Sequence, residues 1–331
     1  MALDKPEPQL VEGGARPVPA GMEVALAAVV ATLFVGAFLV IPVAGALGLP
    51  LAGVPVVRLT HRRGFLPGLL ASVLSAGAIL AVAAASGPGA SALAVLVLGV
   101  TLLPASFAAL ARSGLDPSRA YLGLCLAGCA LAGVLAGLQL AAGDRSVETE
   151  IERAFDRTIP AAIESYAKSN KDPEALERVR NTLALARQMA IHFWAGILAA
   201  SWVLGAAVSF YLGARAARPA PSAEAIRFEN LSVPAPAAAL FVLAGAGSAL
   251  LSGGARNAAG NVLLPLSALY FVTGLSIICH FARKWFRVRI LRFGLYALVV
   301  YFPINVAVTL LGLFDWYANF RRRDKGAMES A

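Results

Sequence analysis

The side chains best suited to chemistry in this chain are few, polar and set within apolar sequence. His192 lies near the start of one apolar stretch and His280 at the end of another, while Asn305 and Asp315 lie in the last one. Polar groups inside a membrane are costly, so these four residues are candidate functional or packing residues. For Asp315 and His280 the alternative is a place among lipid headgroups. Asn305 is also suited to a hydrogen bond with a neighbouring helix.

The chain shows no recognisable catalytic set. It contains none of the patterns HExxH, GxSxG, CxxC or the phosphate-binding P-loop, and its three histidines are far apart. Cys125 and Cys129 are four residues apart in one apolar stretch and Cys279 lies in another; an odd number argues against a disulfide framework. We therefore expect a protein that is not an enzyme and that holds no metal and no cofactor.

Charged residues are confined to short stretches separated by apolar sequence. Seven stretches hold no Asp, Glu, Lys or Arg: residues 24–57, 64–111, 120–143, 188–214, 230–255, 257–282 and 293–314. A run of ~18 apolar residues can cross a ~30 Å hydrocarbon layer as a helix. Only 14% of the residues are charged, against about 25% in soluble domains. These features predict an all-α, polytopic transmembrane helical bundle.

The apolar stretches divide into eight or nine predicted spans. Eight of them run at about 23–47, 65–86, 91–111, 119–142, 189–213, 235–252, 260–282 and 293–316. Residues 49–59, which include Pro50 and Pro55, are either a short tilted span or a re-entrant segment. The predicted domains are a disordered polar tail (1–22), an N-terminal transmembrane bundle (23–142), an insert (143–188), C-terminal transmembrane helices (189–317) and a basic tail (318–331).

The insert, residues 143–188, differs from its surroundings because it carries nine of the 19 acidic residues. Apolar residues recur there at helical spacing, from Ile151 to Tyr166, and Asp172 followed by Pro173 is typical of a helix start. The pattern predicts a small amphipathic helical insert at the membrane surface. The alternative is a spacer whose apolar stripe lies on lipid or on neighbouring helices.

Basic residues cluster at the predicted ends of spans and indicate the topology. Six of them form two basic turns: Arg58, Arg62, Arg63, Arg283, Arg287 and Arg289. The positive-inside rule places both turns in the cytoplasm and the acidic insert outside. Because topology accounts for the net charge of +9, we expect no nucleic-acid partner.

The last span conflicts with this topology. A single crossing over 293–316 would place Arg321–Arg323 outside, against the rule. A pairing of Asp315 with an arginine of either basic turn would bring the end of this segment back to the cytoplasmic side.

Small residues form two stripes that would allow helices to approach closely. Ala28, Thr32 and Gly36 are spaced by four, and Gly133 and Gly137 form a GxxxG pattern. We predict that these positions pack against other helices.

Three segments carry a family resemblance. They are Pro55–Gly64 (PVVRLTHRRG), Gly274–Phe281 (GLSIICHF) and Leu311–Arg321 (LGLFDWYANFR), the last with the pattern G-L-x-D-x-x-x-x-F-R. Over about residues 23–323 the chain resembles the YybS-like family of predicted bacterial multi-pass membrane proteins, a domain of unknown function. The resemblance implies a bacterial inner-membrane protein.

A second resemblance concerns the first five spans. The order of an apolar-Pro segment, Arg-Arg-Gly and a Gly-rich span is similar to substrate-capture subunits of energy-coupling-factor vitamin transporters. The resemblance implies that Ala28, Thr32 and Gly36 would dock a coupling subunit. The expected function is therefore non-enzymatic binding, either a structural or assembly role with other membrane proteins or a small-solute-binding role in a transporter, with the lipid bilayer as the constant partner.

Overall fold

Helices and short turns make up all the described parts of the chain, and no residue in those parts belongs to a strand. The computed structural model describes residues 19–40, 42–84, 90–142, 147–169, 172–218, 220–285, 304–318 and 320. The longer helices are α1 (Ala20–Val40), α2 (Pro42–Arg63), α3 (Phe65–Ala84), α4 (Ala90–Arg112), α5 (Pro117–Ala142), α6 (Val147–Ser169) and α7 (Pro173–Ala207). A π-helical turn (Val208–Leu212), α8 (Gly213–Ala217), α9 (Pro221–Glu224), a 3-10 turn (Phe228–Asn230), α10 (Ala235–Leu250), α11 (Gly253–Trp285) and α12 (Asn305–Ala318) follow.

Five helical segments within the described residues are long and apolar enough to cross a membrane. They are Ala20–Ala37, Phe65–Val82, Pro117–Val134, Pro173–Ala217 and Gly253–Trp285. The all-α class agrees with the sequence prediction, whereas these five segments do not confirm the predicted count of eight or nine spans. Two further apolar segments, Leu96–Arg112 within α4 and Ala235–Leu250, are shorter than 18 residues.

Helix α2 lies at the centre of the bundle, with α1, α3, α4 and α8 around it. Residues of α2 take part in three separate hydrophobic clusters: Val57 in one, Val56 and Leu59 in the second, and Ala52 in the third. The segment 49–59, short by its sequence pattern, is thus the middle of a 22-residue helix about 33 Å long.

Gly53 shows why the middle of α2 is made of small residues. A Cβ atom at this position would lie 2.7 Å from Ser209 Oγ and 2.7 Å from the carbonyl oxygen of Val100. Both distances are far inside van der Waals contact. Only glycine therefore allows α2 to approach α4 and the π-helical turn this closely.

Several helix ends meet at one end of the bundle, which we call the basic end. Arg112 Nη1, at the end of α4, donates hydrogen bonds to the carbonyl oxygens of Thr60 (3.1 Å) and His61 (3.0 Å). Ser222 Oγ also donates to the His61 carbonyl, at 3.2 Å. The connection after α9 reaches the start of α5, where Ser232 N donates to Ser118 Oγ at 3.2 Å.

The insert lies at the opposite end. Trp194 Nε1 in α7 donates to Glu148 Oε1 in α6 at 3.0 Å, and Arg187 of α7 lies 3.2 Å from Asp156 Oδ1 of α6. Asp172 accepts a hydrogen bond from Glu174 N at 3.0 Å, which confirms the predicted helix start.

Contacts along α11 give the direction of the last helices. Gly260 of α11 faces Phe193 of α7, and Arg283 pairs with Glu229 at the basic end, so α7 and α11 run in the same direction. Gly274 faces the Val308 carbonyl and Gly312 faces the Tyr270 carbonyl. Helix α12 is therefore antiparallel to α11 and runs away from the basic end.

Candidate functional site

A groove between α1 and α2 is the feature best suited to hold a ligand. Its volume is about 360 Å³, and its walls are apolar apart from Glu23, Arg58 and Arg62. The apolar walls are Leu26, Ala27, Val30 and Phe34 of α1, Leu51, Val54, Pro55 and Leu59 of α2, and Ala216 of α8. We call this feature the α1–α2 groove.

Helical periodicity explains this lining. On α1 the wall residues follow Glu23 by three, four, seven and eleven positions, and on α2 the spacing from Leu51 to Arg62 is of the same kind. Residues at such intervals share one face of a helix. In each helix the charged residues occupy the end of that face which lies at the basic end. The groove is thus an apolar trough with a charged mouth.

Positive charges outnumber negative charges at the mouth of the groove. Glu23 accepts a hydrogen bond from Arg63 Nε at 2.9 Å, and Arg62 Nη1 lies 3.8 Å from its other carboxylate oxygen. Arg58 is exposed and takes part in no ion pair within the described residues. One carboxylate therefore faces three guanidinium groups, and the mouth keeps an excess of positive charge.

A proline leaves one backbone carbonyl of α2 without its helical hydrogen bond. Pro55 has no N–H, so the Leu51 carbonyl one turn earlier lacks its usual helical donor. Both residues line the α1–α2 groove.

The α2 end beside the mouth is held by buried polar groups. His61 is 1% exposed, and its Nε2 has no hydrogen-bond partner within the described residues. It belongs to the basic turn, residues 58–63, which follows the apolar part of α2. Burial, and then the charge of Arg112, lower the pKa of His61 from 6.5 to about 4. His61 is therefore neutral at physiological pH and fixes the helix end without adding charge.

Helix α7 is broken at Phe193, whose backbone angles (φ −121°, ψ 17°) are not helical. The side chain of Asn261 in α11 fills the break. Its Oδ1 accepts from Gly196 N at 2.6 Å, and its Nδ2 donates to the His192 carbonyl at 2.9 Å. These two backbone groups would bond each other in a continuous helix, so the amide replaces one helical hydrogen bond.

Further along, the π-helical turn joins α7 to the groove. Ser209 Oγ in this turn donates to the Pro50 carbonyl of α2 at 2.6 Å. Seven residues later, about two turns along, Ala216 forms part of the groove wall. The break at Phe193 and the π-helical turn are thus two irregularities in the helix that closes the site.

Comparison with known proteins decides the family. Residues 28–316 match a family described as predicted membrane protein (DUF2232). The chain belongs to the DUF2232 family. No curated protein and no solved structure matches it. The match supports the predicted membrane-protein family of unknown function, but neither the YybS-like name nor the similarity to energy-coupling-factor transporters.

The four polar candidates of this DUF2232 member lie on three helices, and none of them lines the α1–α2 groove. His192 is exposed on α7, and its carbonyl is bound by Asn261. His280 is half-buried on α11, with its ring edge-on to Phe281 at 5.3 Å. Asn305 is exposed at the start of α12, where its side chain accepts from Val306 N at 2.9 Å.

Asp315 is half-buried on α12, and the predicted pairing with Arg283 is wrong. Gly312 lies against Tyr270, and the 13 residues of α11 from there to Arg283 span about 20 Å. Asp315 lies beyond Gly312 in the opposite direction, and Arg283 pairs with Glu229. The antiparallel course of α12 thus carries Asp315 away from the basic end. Arg287 and Arg289 lie outside the described residues.

The residues of the two predicted packing stripes differ in how closely other helices approach them. Ala28 is buried, and its carbonyl accepts from Ser75 Oγ of α3 at 3.1 Å; Thr32 is half-buried. A Cβ atom at Gly36 or Gly133 would have no atom within 4 Å. The packing around Gly137 lies outside the described residues. Close backbone approaches of this DUF2232 member occur at other glycines, among them Gly53, Gly274 and Gly312.

Two important residues were missed by the sequence analysis. Glu23 organises the mouth of the groove, and its signal was an acid in the first turn of an apolar helix, where the helix dipole favours it. Asn261 bridges α7, and its signal was an amide inside the apolar stretch 257–282.

Proposed function

We propose that this protein is a non-enzymatic membrane protein that works by binding, and that its α1–α2 groove holds an anionic amphiphile. The observation that carries the proposal is the position of Arg58 and Arg62 at the mouth of an otherwise apolar trough. Such a ligand has an alkyl part and one anionic group, either phosphate or carboxylate. The protein then acts in assembly or in partner binding together with its lipid.

The apolar part of the groove suits an alkyl chain. Its volume of about 360 Å³ lies in the range of ~300–1,000 Å³ that is usual for ligand pockets. Leu26 on the wall is 60% exposed, so the groove opens sideways, as lateral entry from a bilayer requires. An alkyl chain that leaves lipid for this wall gains little hydrophobic free energy, so the apolar wall by itself gives weak selectivity.

Selectivity therefore depends on the mouth. Guanidinium groups bind phosphate and carboxylate with paired hydrogen bonds, which are stronger than those between neutral groups. Glu23 holds Arg63 and faces Arg62, whereas Arg58 stays available. The anionic group of the ligand would neutralise the positive charge that Glu23 leaves unpaired at the mouth.

The proposal includes nine crossings of a bacterial inner membrane, with the basic end in the cytoplasm. Helices α1 to α5, the second half of α7, and α10 to α12 run between the basic end and the insert end, which supports this count. Single cysteines at Ser169 and Lys284, in a cysteine-free background, should react oppositely with an impermeant maleimide in intact cells. Labelling at Lys284 alone would reverse the orientation, and labelling at both sites would contradict the crossing pattern.

A second candidate is a solute-binding component of a transporter. The break in α7 favours it, because interrupted helices form the binding sites of many transporters. In that case a water-soluble compound, rather than a lipid, should co-purify with the protein. Mass spectrometry of bound small molecules after purification in mild detergent separates the two candidates.

The main test is lipid retention by the purified full chain. Native mass spectrometry in detergent should show phosphatidic acid retained over phosphatidylcholine by about tenfold, near the ~1.4 kcal/mol that one charge-assisted contact supplies. The variant Arg58→Gln/Arg62→Gln should lose this preference. Arg119→Gln is the matched control, since Arg119 is an exposed arginine at the same end but outside the groove.

A second variant tests the apolar wall. Val54→Trp should fill the trough and reduce retention of both lipids, while the charges at the mouth remain. Equal preference for phosphatidic acid in the parent and in the Arg58/Arg62 double variant would refute the proposal.

A further inference from the structure

We infer a second anion site, for a single phosphate group, in a small cavity at the basic end. The cavity has a volume of about 100 Å³ and lies between α8, the connection 226–229 and the end of α11. Its principal walls are Tyr211, Arg215, Arg218, Phe228, Glu229 and Arg283. This inference does not rest on the α1–α2 groove.

The walls carry unbalanced charge. Three guanidinium groups face one carboxylate, Glu229, which is 8% exposed and forms an ion pair with Arg283. Arg218 Nη2 donates to the Ile226 carbonyl at 3.2 Å, a neutral acceptor. Arg215 lines the cavity and forms no ion pair with any described residue. Among the described residues, no carboxylate therefore pairs with Arg215 or Arg218, and positive charge exceeds negative charge at this cavity.

The size of the cavity restricts which anion can neutralise Arg215 and Arg218. A cavity of about 100 Å³ admits a small group and excludes a nucleoside or a sugar ring together with its phosphate. Tyr211 and Phe228 in the lining lie edge-on, with ring centres 5.2 Å apart, and their rings offer apolar contact. The more exposed Arg215 and Arg218 supply the hydrogen-bond donors. Phosphate suits these arginines because its oxygens accept paired guanidinium hydrogen bonds.

Two features favour occupancy. The hydrogen bond to Ile226 holds the Arg218 side chain in place before a ligand binds, which lowers the entropic cost of binding. Lys284, next to Arg283 in the last turn of α11, adds a further positive charge, and such charge raises the local concentration of anions. The phosphate group can belong to a solute or to a phospholipid headgroup, since both present the same oxygens.

The site is separate from the α1–α2 groove although the two share a helix. Arg215 lines the cavity and Ala216 lines the groove, and successive residues of a helix point about 100° apart. Variants at Arg215 therefore test the cavity without touching the mouth formed by Arg58 and Arg62.

The experiment uses the full chain in nanodiscs of phosphatidylcholine. Melting is followed while inorganic phosphate replaces chloride at constant ionic strength. The melting temperature should rise saturably, by about 5 °C at a phosphate concentration near 100 times Kd. Arg215→Gln should melt like the parent without phosphate, because Arg215 is exposed, and should lose the rise. Arg119→Gln should keep it.

A second arm identifies the source of the phosphate. If inorganic phosphate has no effect, phosphatidic acid is added to the nanodiscs at 10% of the lipid, roughly one charge per ten headgroups. A rise that requires Arg215, and that persists in Arg58→Gln/Arg62→Gln, supports the same site with a lipid headgroup as its occupant. No rise in either arm, or equal rises in the parent and in Arg215→Gln, overturns the inference.

Discussion

Two apolar grooves of this protein differ in a way that bears on function. The α1–α2 groove measures about 360 Å³, whereas a groove between α10 and α12 measures about 600 Å³. The larger groove is lined by Ala235, Ala238, Ala239, Val242, Leu243, Leu313, Phe314, Trp316 and Tyr317, none of which is charged. We call it the α10–α12 groove. The smaller one has a mouth with three charged residues.

The comparison shows that volume alone is a poor guide to function in a membrane protein. Lipid tails are as apolar as leucine, so they can occupy the α10–α12 groove without selection. Charged side chains at a mouth favour one class of headgroup over another. Hydrogen bonds from Arg112 and Ser222 to the His61 carbonyl support the mouth of the smaller groove. The α12 side of the larger groove is held in place by the backbone contact of Gly312 with α11.

The largest effect is expected where α12 packs against α11, at Gly312. A side chain at Gly312 would meet the Tyr270 carbonyl, a backbone atom that cannot turn away. Gly312→Leu should lower the free energy of unfolding by roughly 4 kcal/mol, above the usual cost of overpacking. Gly133→Leu is the matched control, since nothing lies within 4 Å of its Cβ position. Equal thermal melting of the two variants in detergent would contradict the proposed crossing of α11 and α12.

The stability of the protein should depend on pH through His61 at the end of α2. The pKa of His61 is about 4 in the folded chain and 6.5 in the unfolded chain, so the unfolded chain binds the proton more tightly. Stability should fall as the pH drops from 6.5 to 4, by about 3 kcal/mol, and should then level off. His61→Phe should remove this part of the pH dependence. Denaturant titrations at several pH values, with His192→Phe as the exposed control, measure it.

An intermediate effect is expected at the break in α7. Asn261→Ala leaves the Gly196 N–H and the His192 carbonyl without their partner, which should cost about 2 kcal/mol. Asn305→Ala, which removes an exposed amide with a local hydrogen bond, should cost less than about 0.5 kcal/mol. Hydrogen exchange should also speed up near Gly196 in the first variant only; unchanged exchange there would argue against the bridge.

The smallest expected effect is a difference in lipid preference between the two grooves. A photoreactive phenylalanine at Val54 should capture phosphatidic acid over phosphatidylcholine by about tenfold, roughly 1.4 kcal/mol. The same residue at Val242, in the α10–α12 groove, should capture both lipids alike. When Arg58→Gln is added, the photoreactive residue at Val54 should capture both lipids alike, as the one at Val242 does. A headgroup preference at Val242 would remove the distinction between the grooves.

The sequence alone predicts helices whose signals are local. The apolar stretch 119–142 corresponds closely to α5, and Asp172 with Pro173 marks the start of α7, because hydrophobic length and capping act over a few residues. The basic turn at 58–63 likewise contains two residues of the groove mouth. These features required no knowledge of neighbouring helices.

Features that depend on neighbours could not be predicted in this way. Pro50 and Pro55 suggested a short or re-entrant piece, yet α2 continues through both because α1, α3 and α4 surround it. The glycines that matter are those opposite backbone or bulky side chains, such as Gly53 and Gly312, and spacing in one helix does not show what lies opposite. Asn261 has its role only because α7 breaks beside it.

The burial of α2 also affects the order in which the chain can enter a membrane. An interior proline costs a helix about 3 kcal/mol, and α2 has two, as well as Arg58 near its end. Its stabilising contacts come from α1, made before it, and from α3 and α4, made after it. We therefore expect α2 to remain loosely held during synthesis until α4 has emerged from the ribosome. The first four helices would then enter the bilayer as one cooperative unit rather than one at a time.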